Sequence, residues 1–281
     1  MKFQELKTIL EKHNLWAKKS LGQHFLHDES VCMRMVQHLR LKGERVVEVG
    51  PGPGSLTDIL LKTEPAFLLL IEKDQRFIEI LKEFERSSNT QFHIEQADAL
   101  NVCISELLKK HAKTEPYHIV ANLPYNVGTE MLVRWVNDIE HVNSITVMLQ
   151  KEVVDRMIAK PGTKDYGRLA IVLQSCFDVQ EVFQISPEAF IPPPKVWSSV
   201  VYLKPLAQQP APAVLVTLAK LTNMAFSQRR KMLRVSLGKM LPLTLWQNIC
   251  DTLKIDETRR PEELDTHTFL TMAQICSKEK I

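Results

Sequence analysis

Short apolar runs alternate with amphipathic segments over roughly the first 200 residues of the chain. Four of these runs are typical of buried strands, at residues 45–49, 67–71, 91–96 and 117–121. Between the first two, apolar residues return at helical spacing, as at Leu56, Ile59 and Leu60. Further segments predict a polar arm over 1–20, helices over 30–40 and 77–84, strand or helix at 145–149 and 169–177, and a strand over 198–203. Strands that alternate with helices predict an α/β fold with a mainly parallel sheet.

The pattern changes at residues 205–212, where three prolines and two glutamines interrupt it. Beyond this stretch, apolar residues recur only at helical spacing. We therefore predict an α/β domain over residues 1–207 and a small all-α domain over residues 208–281.

Composition narrows the class of protein. The 281 residues are 44% hydrophobic and carry a formal net charge of +3. No run approaches the roughly 18 apolar residues of a membrane helix, and the first residues lack the apolar centre of a secretory signal, so we expect a cytoplasmic protein without a membrane span. The five scattered cysteines form no C-x-x-C pair, so we expect free thiols, and the spacing of the nine histidines predicts no metal site.

Polar residues lie at or just beyond the ends of four predicted strands: Glu48, Glu72, Asp98 and Asn122. The carboxyl ends of parallel strands meet at one crevice, where these side chains should converge. Glycine at position 50 lets the backbone approach a ligand closely. Glu72 can accept both hydroxyls of a ribose, and Asp98 can accept the exocyclic amine of an adenine. The arrangement suits a cofactor that contains a nucleoside.

The glycine loop leaves two cofactors open. Its G-x-G-x-G pattern, followed about 20 residues later by Glu72, is also similar to the fingerprint of NAD-binding proteins. Pro51 and Pro53 remove backbone N–H groups from a loop that would cradle a pyrophosphate. S-adenosylmethionine (SAM) has no phosphate and does not need those donors. The loop therefore favours SAM over NAD.

Asn122-Leu123-Pro124-Tyr125 follows the fourth strand and indicates the chemistry. An adenine N6 amine is a poor nucleophile because its lone pair is delocalised into the ring. The Asn122 side-chain oxygen and a main-chain carbonyl of Leu123-Pro124 can accept its N–H groups and draw the nitrogen toward tetrahedral geometry. Tyr125 can stack on the base, and Phe190, before three prolines, is the candidate second aromatic wall for a flipped-out base.

Motifs along nearly the whole chain resemble those of the KsgA-type small-subunit rRNA adenine N6,N6-dimethyltransferase family. They are residues 23–26, 47–57, 122–126, 150–153, 164–169, 190–198 and 225–231. The resemblance implies a Rossmann-like SAM-dependent methyltransferase domain with a small all-α C-terminal domain. It also implies dimethylation of two adjacent adenosines in the 3′-terminal hairpin of small-subunit (16S) rRNA. We further expect a monomer that acts on this rRNA within a pre-30S particle. Cofactor contacts would come from His24, Leu26, Gly50, Glu72, Asp98 and Asn122.

Two positions depart from the family pattern. His24 stands where the family usually has Asn, and Glu130 stands where relatives often have Pro. The family's substrate also gives a purpose to two basic clusters, Lys18-Lys19 and Arg229-Arg230-Lys231. We expect both clusters to bind RNA phosphates.

Other functions remain open at this point. A large-subunit rRNA dimethyltransferase that confers macrolide resistance would share the fold and a similar N-L-P-Y loop, although residues 190–198 and 227–231 favour the small-subunit enzyme. A non-catalytic RNA-binding assembly factor would retain the fold without the activity. Intact Gly50, Glu72, Asp98 and Asn122 argue against that alternative. An NAD-dependent dehydrogenase is the third reading.

Overall fold

The structure is a computed structural model that describes residues 8, 10–11, 15, 23–88, 90–111 and 116–279. The predicted N-terminal arm and the Lys18-Lys19 cluster lie mostly or wholly outside these residues. Within the described part, the chain contains a seven-stranded sheet, a two-stranded sheet and a group of C-terminal helices. No helix among the described residues is both long and apolar enough to cross a membrane.

The large sheet has the strand order β4-β3-β2-β5-β6-β9-β7. Its strands are β2 (Arg45–Val49), β3 (Phe67–Glu72), β4 (Gln91–Gln96), β5 (Tyr117–Asn122), β6 (Val142–Gln150), β7 (Phe177–Ile185) and β9 (Ser198–Pro205). The pairs that join β4, β3, β2, β5 and β6 are parallel, and β6 pairs with β9 antiparallel. The predicted α/β fold is confirmed. Strand order reverses between β2 and β5, and ligands bind at such a switch point.

The small sheet joins two distant segments of the chain. Strand β1 (Phe25–Leu26) pairs antiparallel with β8 (Phe190–Ile191), so that Leu26 faces Phe190 across the ladder. Both strands contribute to a core of buried residues that includes Val31, Met35 and Leu68. This pairing holds the segment before α1 against a segment that lies much later in the sequence.

Between residues 23 and 185 of the described chain, seven α-helices lie among or between the strands. They are α1 (Glu29–Val36), α2 (Ser55–Lys62), α3 (Gln75–Ser87), α4 (Ile104–His111), α5 (Gly128–Trp135), α6 (Lys151–Ile158) and α7 (Arg168–Gln174). Local sequence explains where several begin. Asp28 caps α1 by accepting the Ser30 and Val31 N–H groups, and Asp74 caps α3 by accepting from Arg76. The segment predicted as strand or helix at 169–177 is α7, with β7 beginning at Phe177.

Four more helices follow: α8 (Pro212–Ser227), α9 (Leu233–Ser236), α10 (Leu243–Leu253) and α11 (Thr266–Lys278). No strand occurs in the described chain after β9, as the sequence predicts. The residues nevertheless divide into two compact units that are discontinuous in sequence: Met1–Val154 with Gln180–Lys204, and Asp155–Val179 with Pro205–Ile281. This division differs from a single boundary after residue 207. Tyr166, Ala170 and Ile171 share a buried core with the C-terminal helices, which linear sequence does not reveal.

All five cysteines are free, as predicted. Cys32, Cys176 and Cys276 are buried. Burial raises the pKa of the Cys32 and Cys176 thiols to about 12, so these side chains behave as small apolar groups.

Candidate active site

A cleft at the carboxyl ends of β2, β3 and β5 has a cavity volume of about 180 Å³. Nine of the predicted site residues line it: His24, Leu26, Gly50, Glu72, Asp98, Asn122, Leu123, Pro124 and Tyr125. Phe190, the tenth, is not among the lining residues. The convergence of polar residues from successive strand ends follows from the parallel topology.

The glycine loop shapes one wall of this cleft. Gly50 has φ +67°, a conformation that other residues rarely adopt, and a Cβ built on it would meet no atom within 4 Å. Its backbone is therefore open to a ligand in the cleft. Gly54, at φ +90°, precedes α2, and a Cβ there would lie 2.5 Å from the Phe84 ring. The two glycines serve different purposes, ligand approach and packing.

Glu72 ends β3 with a buried carboxylate. One oxygen, Oε2, accepts the Gly52 N–H at 2.9 Å, and Oε1 accepts the Asp74 N–H at 2.7 Å. Burial raises the pKa of Glu72, while these backbone donors act in the opposite direction. Each oxygen retains a second lone pair, so the carboxylate is held in place and can still accept two hydroxyl groups. This geometry fits the ribose of SAM.

Asp98 already has partners in the structure. Its Oδ2 forms an ion pair with Lys73 at 2.7 Å, and Oδ1 accepts the Leu100 N–H at 3.0 Å. The Lys73 ammonium, followed by that N–H, lowers the pKa of Asp98. The lowered pKa favours the ionised carboxylate, which is a hydrogen-bond acceptor. Its predicted contact with an adenine amine stays a prediction. Lys73 is a cleft residue that sequence reasoning missed.

Asp74 is a second residue that was missed. It lines the cleft, and its carboxylate pairs with the Arg76 guanidinium at 2.5 Å and accepts from Gln23 Nε2 at 3.2 Å. The hydrogen bonds from Arg76 lower the pKa of Asp74 to about 2. An Asp placed just before an amphipathic segment is a helix-capping signal, and this signal was available in the sequence.

Glu48 is the most deeply buried acid of the cleft. Thr57 Oγ1 donates to its Oε2 at 2.6 Å. Burial, with a smaller contribution from the charge of Glu72, raises the pKa of Glu48 to about 8 despite that hydrogen bond. At neutral pH Glu48 is therefore largely a neutral acid.

Asn122 is oriented by the chain segment that precedes β1. Its Nδ2 donates to the main-chain carbonyl of His24 at 3.2 Å. This leaves Oδ1 as the acceptor atom of Asn122, a residue that lines the cleft. The Pro124 carbonyl is already used, because it accepts the Val127 and Gly128 N–H groups at 3.2 and 3.0 Å. Of the two predicted main-chain acceptors, the structure therefore favours the Leu123 carbonyl.

Tyr125 is held from two sides. The His24 imidazole stacks on its ring with centroids 5.4 Å apart, and the hydroxyl shares a hydrogen bond of 2.6 Å with Ser198 Oγ. The His24 Nδ1 in turn donates to the Pro192 carbonyl at 2.7 Å. His24, which stands where the family usually has Asn, therefore adds a ring that packs on Tyr125 and bonds to the loop after β8. These contacts fix the ring of Tyr125 at the wall of the cleft.

Phe190 occupies a different place from the predicted one. Its side chain is 2% exposed and belongs to the core cluster behind β1. Because Phe190 pairs with Leu26 in the β1–β8 ladder, its ring packs inward, and this conformation provides no second aromatic wall. The exposed aromatic residue of the same loop is Trp197, at 51% exposure, directly before Ser198. Sequence reasoning missed Trp197 because burial cannot be read from the loop alone.

Two other predicted features have structural partners. Glu130 forms a solvent-exposed ion pair with Arg134 one turn further along α5, at 3.0 Å. In the C-terminal unit, Arg229 contacts the Glu262 carboxylate and donates to the Thr163 carbonyl at 3.1 Å. Arg230 and Lys231 are exposed. Arg229 therefore has a structural role, and its two neighbours are the better candidates for phosphate contacts.

Comparisons with known proteins agree with this geometry. The sequence model of the family described as "Ribosomal RNA adenine dimethylase" matches residues 14–278. "Ribosomal RNA small subunit methyltransferase A" of Cereibacter sphaeroides is 42% identical, over 96% of this chain and 95% of the relative. The protein of the same name from Phenylobacterium zucineum is 45% identical, over 95% of this chain and 91% of the relative.

Two solved structures share the fold. A dimethyladenosine transferase from Plasmodium falciparum aligns with a TM-score of 0.74 at 23% identity, covering 92% of this chain and 99% of that one. The 23S rRNA methyltransferase ErmE aligns with a TM-score of 0.66 at 22% identity, covering 89% and 98%. The family match spans nearly the whole sequence, and the two relatives described above exceed 40% identity. The chain belongs to the ribosomal RNA adenine dimethylase family.

Proposed function

We propose that this chain uses SAM to dimethylate the N6 amines of two adjacent adenosines in the 3′-terminal hairpin of small-subunit (16S) rRNA. The observation that carries this proposal is the orientation of Asn122. Its amide N–H binds the His24 carbonyl, its oxygen is left as an acceptor, and Asn122 lines the cleft. An acceptor beside an aromatic ring suits a planar amine that must become nucleophilic.

The chain's own residues would activate and place that amine. The Asn122 Oδ1 and the Leu123 carbonyl accept the two N6–H groups, so that lone-pair density is withdrawn from the ring and directed toward the incoming methyl. Tyr125 stacks on the base and holds its plane. SAM supplies a methyl group on a positively charged sulfur. The N6 nitrogen would gain the methyl as the bond from carbon to the sulfonium sulfur breaks, which leaves a neutral thioether, and one proton would pass to solvent. A second SAM would supply the second methyl, with the one remaining N6–H held by one of the two acceptors.

The arrangement of the proposed cofactor-binding residues supports SAM as the cosubstrate. Glu72 is fixed by two backbone donors and would accept the ribose hydroxyls, and Asp98 would accept the adenine amine. Gly50 presents open backbone, while His24 and Leu26 line the cleft from the N-terminal side. Since the methyl donor is already cationic, the transfer step itself requires no metal. Catalysis here is positioning and polarisation.

The substrate particle, the cellular location, the oligomeric state and the roles of the two domains are also proposed. Relatives above 40% identity are named for the small subunit, whereas the likeness to ErmE at 22% identity concerns the fold alone. This contrast favours a pre-30S particle over large-subunit RNA as the substrate. We further propose a cytoplasmic monomer, with methyl transfer assigned to residues 1–207 and a helical accessory role to residues 208–281.

The test is to incubate the purified chain with labelled SAM and undermethylated 30S subunits and to map the modified nucleotides. Two adjacent N6,N6-dimethyladenosines near the 3′ end are expected. Label in large-subunit RNA would indicate the macrolide-resistance class. SAM binding without label would leave the assembly-factor function, and stabilisation by NAD but not SAM would indicate the dehydrogenase.

A further inference from the structure

Three metal-ligating side chains meet away from the cleft, at the edge of the large sheet. His93 and Glu95 are two residues apart on the edge strand β4, so their side chains project from the same face of the sheet. His111 is the last residue of α4. Their nitrogen and oxygen ligand atoms all lie within 4.8 Å of one another. One of these pairs joins His93 Nε2 to Glu95 Oε2 at 3.3 Å.

We propose that His93, Glu95 and His111 form a binding site for a divalent transition-metal ion such as Zn²⁺. Two imidazoles and one carboxylate are the donors that zinc accepts, whereas Mg²⁺ and Ca²⁺ demand oxygen ligands. Three protein ligands leave a fourth position for water. The site goes beyond the methyl-transfer chemistry and does not depend on it.

The distances approach those of a bound site. With metal–nitrogen bonds of about 2.0–2.1 Å in tetrahedral geometry, two ligand atoms on one ion lie about 3.3–3.4 Å apart. The largest present separation, at most 4.8 Å, therefore has to shorten by about 1.4 Å. The two imidazole rings are now stacked, with centroids 3.6 Å apart and planes 21° apart. A side-chain rotation would turn both ring nitrogens toward the same ion.

His93 and Glu95 are about one-third exposed, so an ion can reach them from solvent. The histidine spacing gave no hint of this site, because residues 93 and 111 meet only through the packing of the fold.

The ion would have a structural effect. It would tie the last residue of α4 to the edge strand β4, which ends at Gln96, two residues before Asp98 of the cleft. Binding to the folded state alone raises thermal stability by mass action. We therefore expect Zn²⁺ to raise Tm in the full chain.

The test uses untagged, chelator-treated full-length protein titrated with Co²⁺ and Zn²⁺. We expect one equivalent of Co²⁺ to give visible d–d absorption that Zn²⁺ displaces, with an increase in Tm. His111→Ala and Glu95→Gln should each weaken the affinity on the order of a hundredfold, at least the loss that follows removal of an outer-shell partner. His141→Ala is the matched control, since His141 pairs with Glu140 at 3.4 Å but belongs to no three-ligand group among the described residues.

Three results would overturn the proposal. One is the absence of saturable Co²⁺ absorption in the wild-type chain. Another is equal affinity in wild type and His111→Ala. A third is sulfur-to-cobalt charge-transfer absorption that disappears in Cys103→Ser, because it would place the ion on the exposed thiol of Cys103 instead.

Discussion

The side-chain amide of Asn122 and the main-chain carbonyl of His24 are 3.2 Å apart, and this hydrogen bond joins the end of β5 to the segment before β1. The contact uses one N–H of the Asn122 amide and leaves its oxygen as an acceptor. It also explains why a different side chain at position 24 is compatible with the site, since the acceptor is backbone. The His24 ring is then free to stack on Tyr125.

Replacing Asn122 should remove the polarising acceptor. For Asn122→Ala we expect the single-turnover rate at saturating SAM to fall by about 10²–10³-fold, the loss typical of a preorganised polar group at the reacting centre. SAM affinity should change much less. Asn143→Ala, which removes an exposed asparagine on β6, serves as the control and should leave the rate unchanged. A rate loss matched by an equal loss of SAM affinity would contradict the assigned role.

Asp98 should discriminate between an amine and a carbonyl on the cofactor base. Asp98→Ala is expected to weaken S-adenosylhomocysteine binding about tenfold, the worth of one hydrogen bond to a charged acceptor. Binding of S-inosylhomocysteine, which lacks the amine, should change little. Calorimetric titration of both ligands measures this difference.

The Lys73→Met variant tests whether Asp98 acts through its predicted hydrogen bond to the cofactor base or through its surface ion pair with Lys73. It removes the Lys73 contact at 2.7 Å but retains the Asp98 carboxylate. The preference for the adenosyl ligand should persist in this variant. Equal losses for both ligands in Asp98→Ala would show that Asp98 supports the loop without reading the base.

Much of the cleft could be predicted from sequence because parallel strands deliver their terminal residues to one edge. Glu48, Glu72 and Asn122 follow apolar runs directly, and the fold brings all three to the cleft. The position of Phe190 could not be predicted in this way. Its burial depends on the pairing of β8 with β1, more than 160 residues earlier in the chain.

Packing between distant segments also explains two other features that the sequence does not reveal. The helix α7 shares a core with the C-terminal helices, so the two compact units are not divided only at the proline-rich stretch 205–212. Arg229 looks like a member of a basic patch in sequence, but Glu262 lies against it in the structure. Hydrophobic periodicity reveals which face of an element is buried, but not the element that buries it.

Trp197 should contribute to RNA binding rather than to SAM binding. It is 51% exposed and adjoins Ser198, which contacts Tyr125. If a nucleotide stacks on it, Trp197→Ala should raise the KM for 30S particles about tenfold or more, because stacking of one base contributes about 1–3 kcal/mol. Trp197→Phe should recover part of this loss. Val196→Ala, at a neighbouring residue that is 45% exposed, is the control. An unchanged KM in Trp197→Ala would exclude this contact.

Glu48 should make folding stability depend on pH. Its pKa is about 8 in the folded chain, above the ordinary value of 4.5, so the folded state holds the proton more tightly than the unfolded state. The contribution of Glu48 is therefore most favourable below pH 4.5 and is lost as pH rises toward 8, by roughly 1 kcal/mol per pH unit. Urea unfolding between pH 5 and 8 measures this slope.

Glu48→Gln isolates that contribution. The amide retains an acceptor for Thr57 but cannot ionise, so its stability should fall less steeply with pH than that of the wild type. The raised pKa of Glu72 adds a similar slope to both proteins and cancels in the comparison. Glu79→Gln, on the exposed face of α3, controls for the loss of one carboxylate. Parallel pH profiles for wild type and Glu48→Gln would refute the argument.

The basic cluster at 229–231 should divide into a structural and an RNA-binding part. Arg229→Ala loses the contacts to Glu262 and Thr163 and should lower stability by about 1 kcal/mol, since the pair is partly exposed. Arg230→Ala with Lys231→Ala should leave Tm unchanged but weaken RNA binding. If each residue contacts one phosphate, the dependence of log affinity on log salt should become shallower by about 1.4–1.8.

Measuring RNA affinity at several salt concentrations for both variants distinguishes the two roles. An unchanged salt slope in the double variant would remove Arg230 and Lys231 from the RNA interface, and a weakened slope in Arg229→Ala would return Arg229 to it.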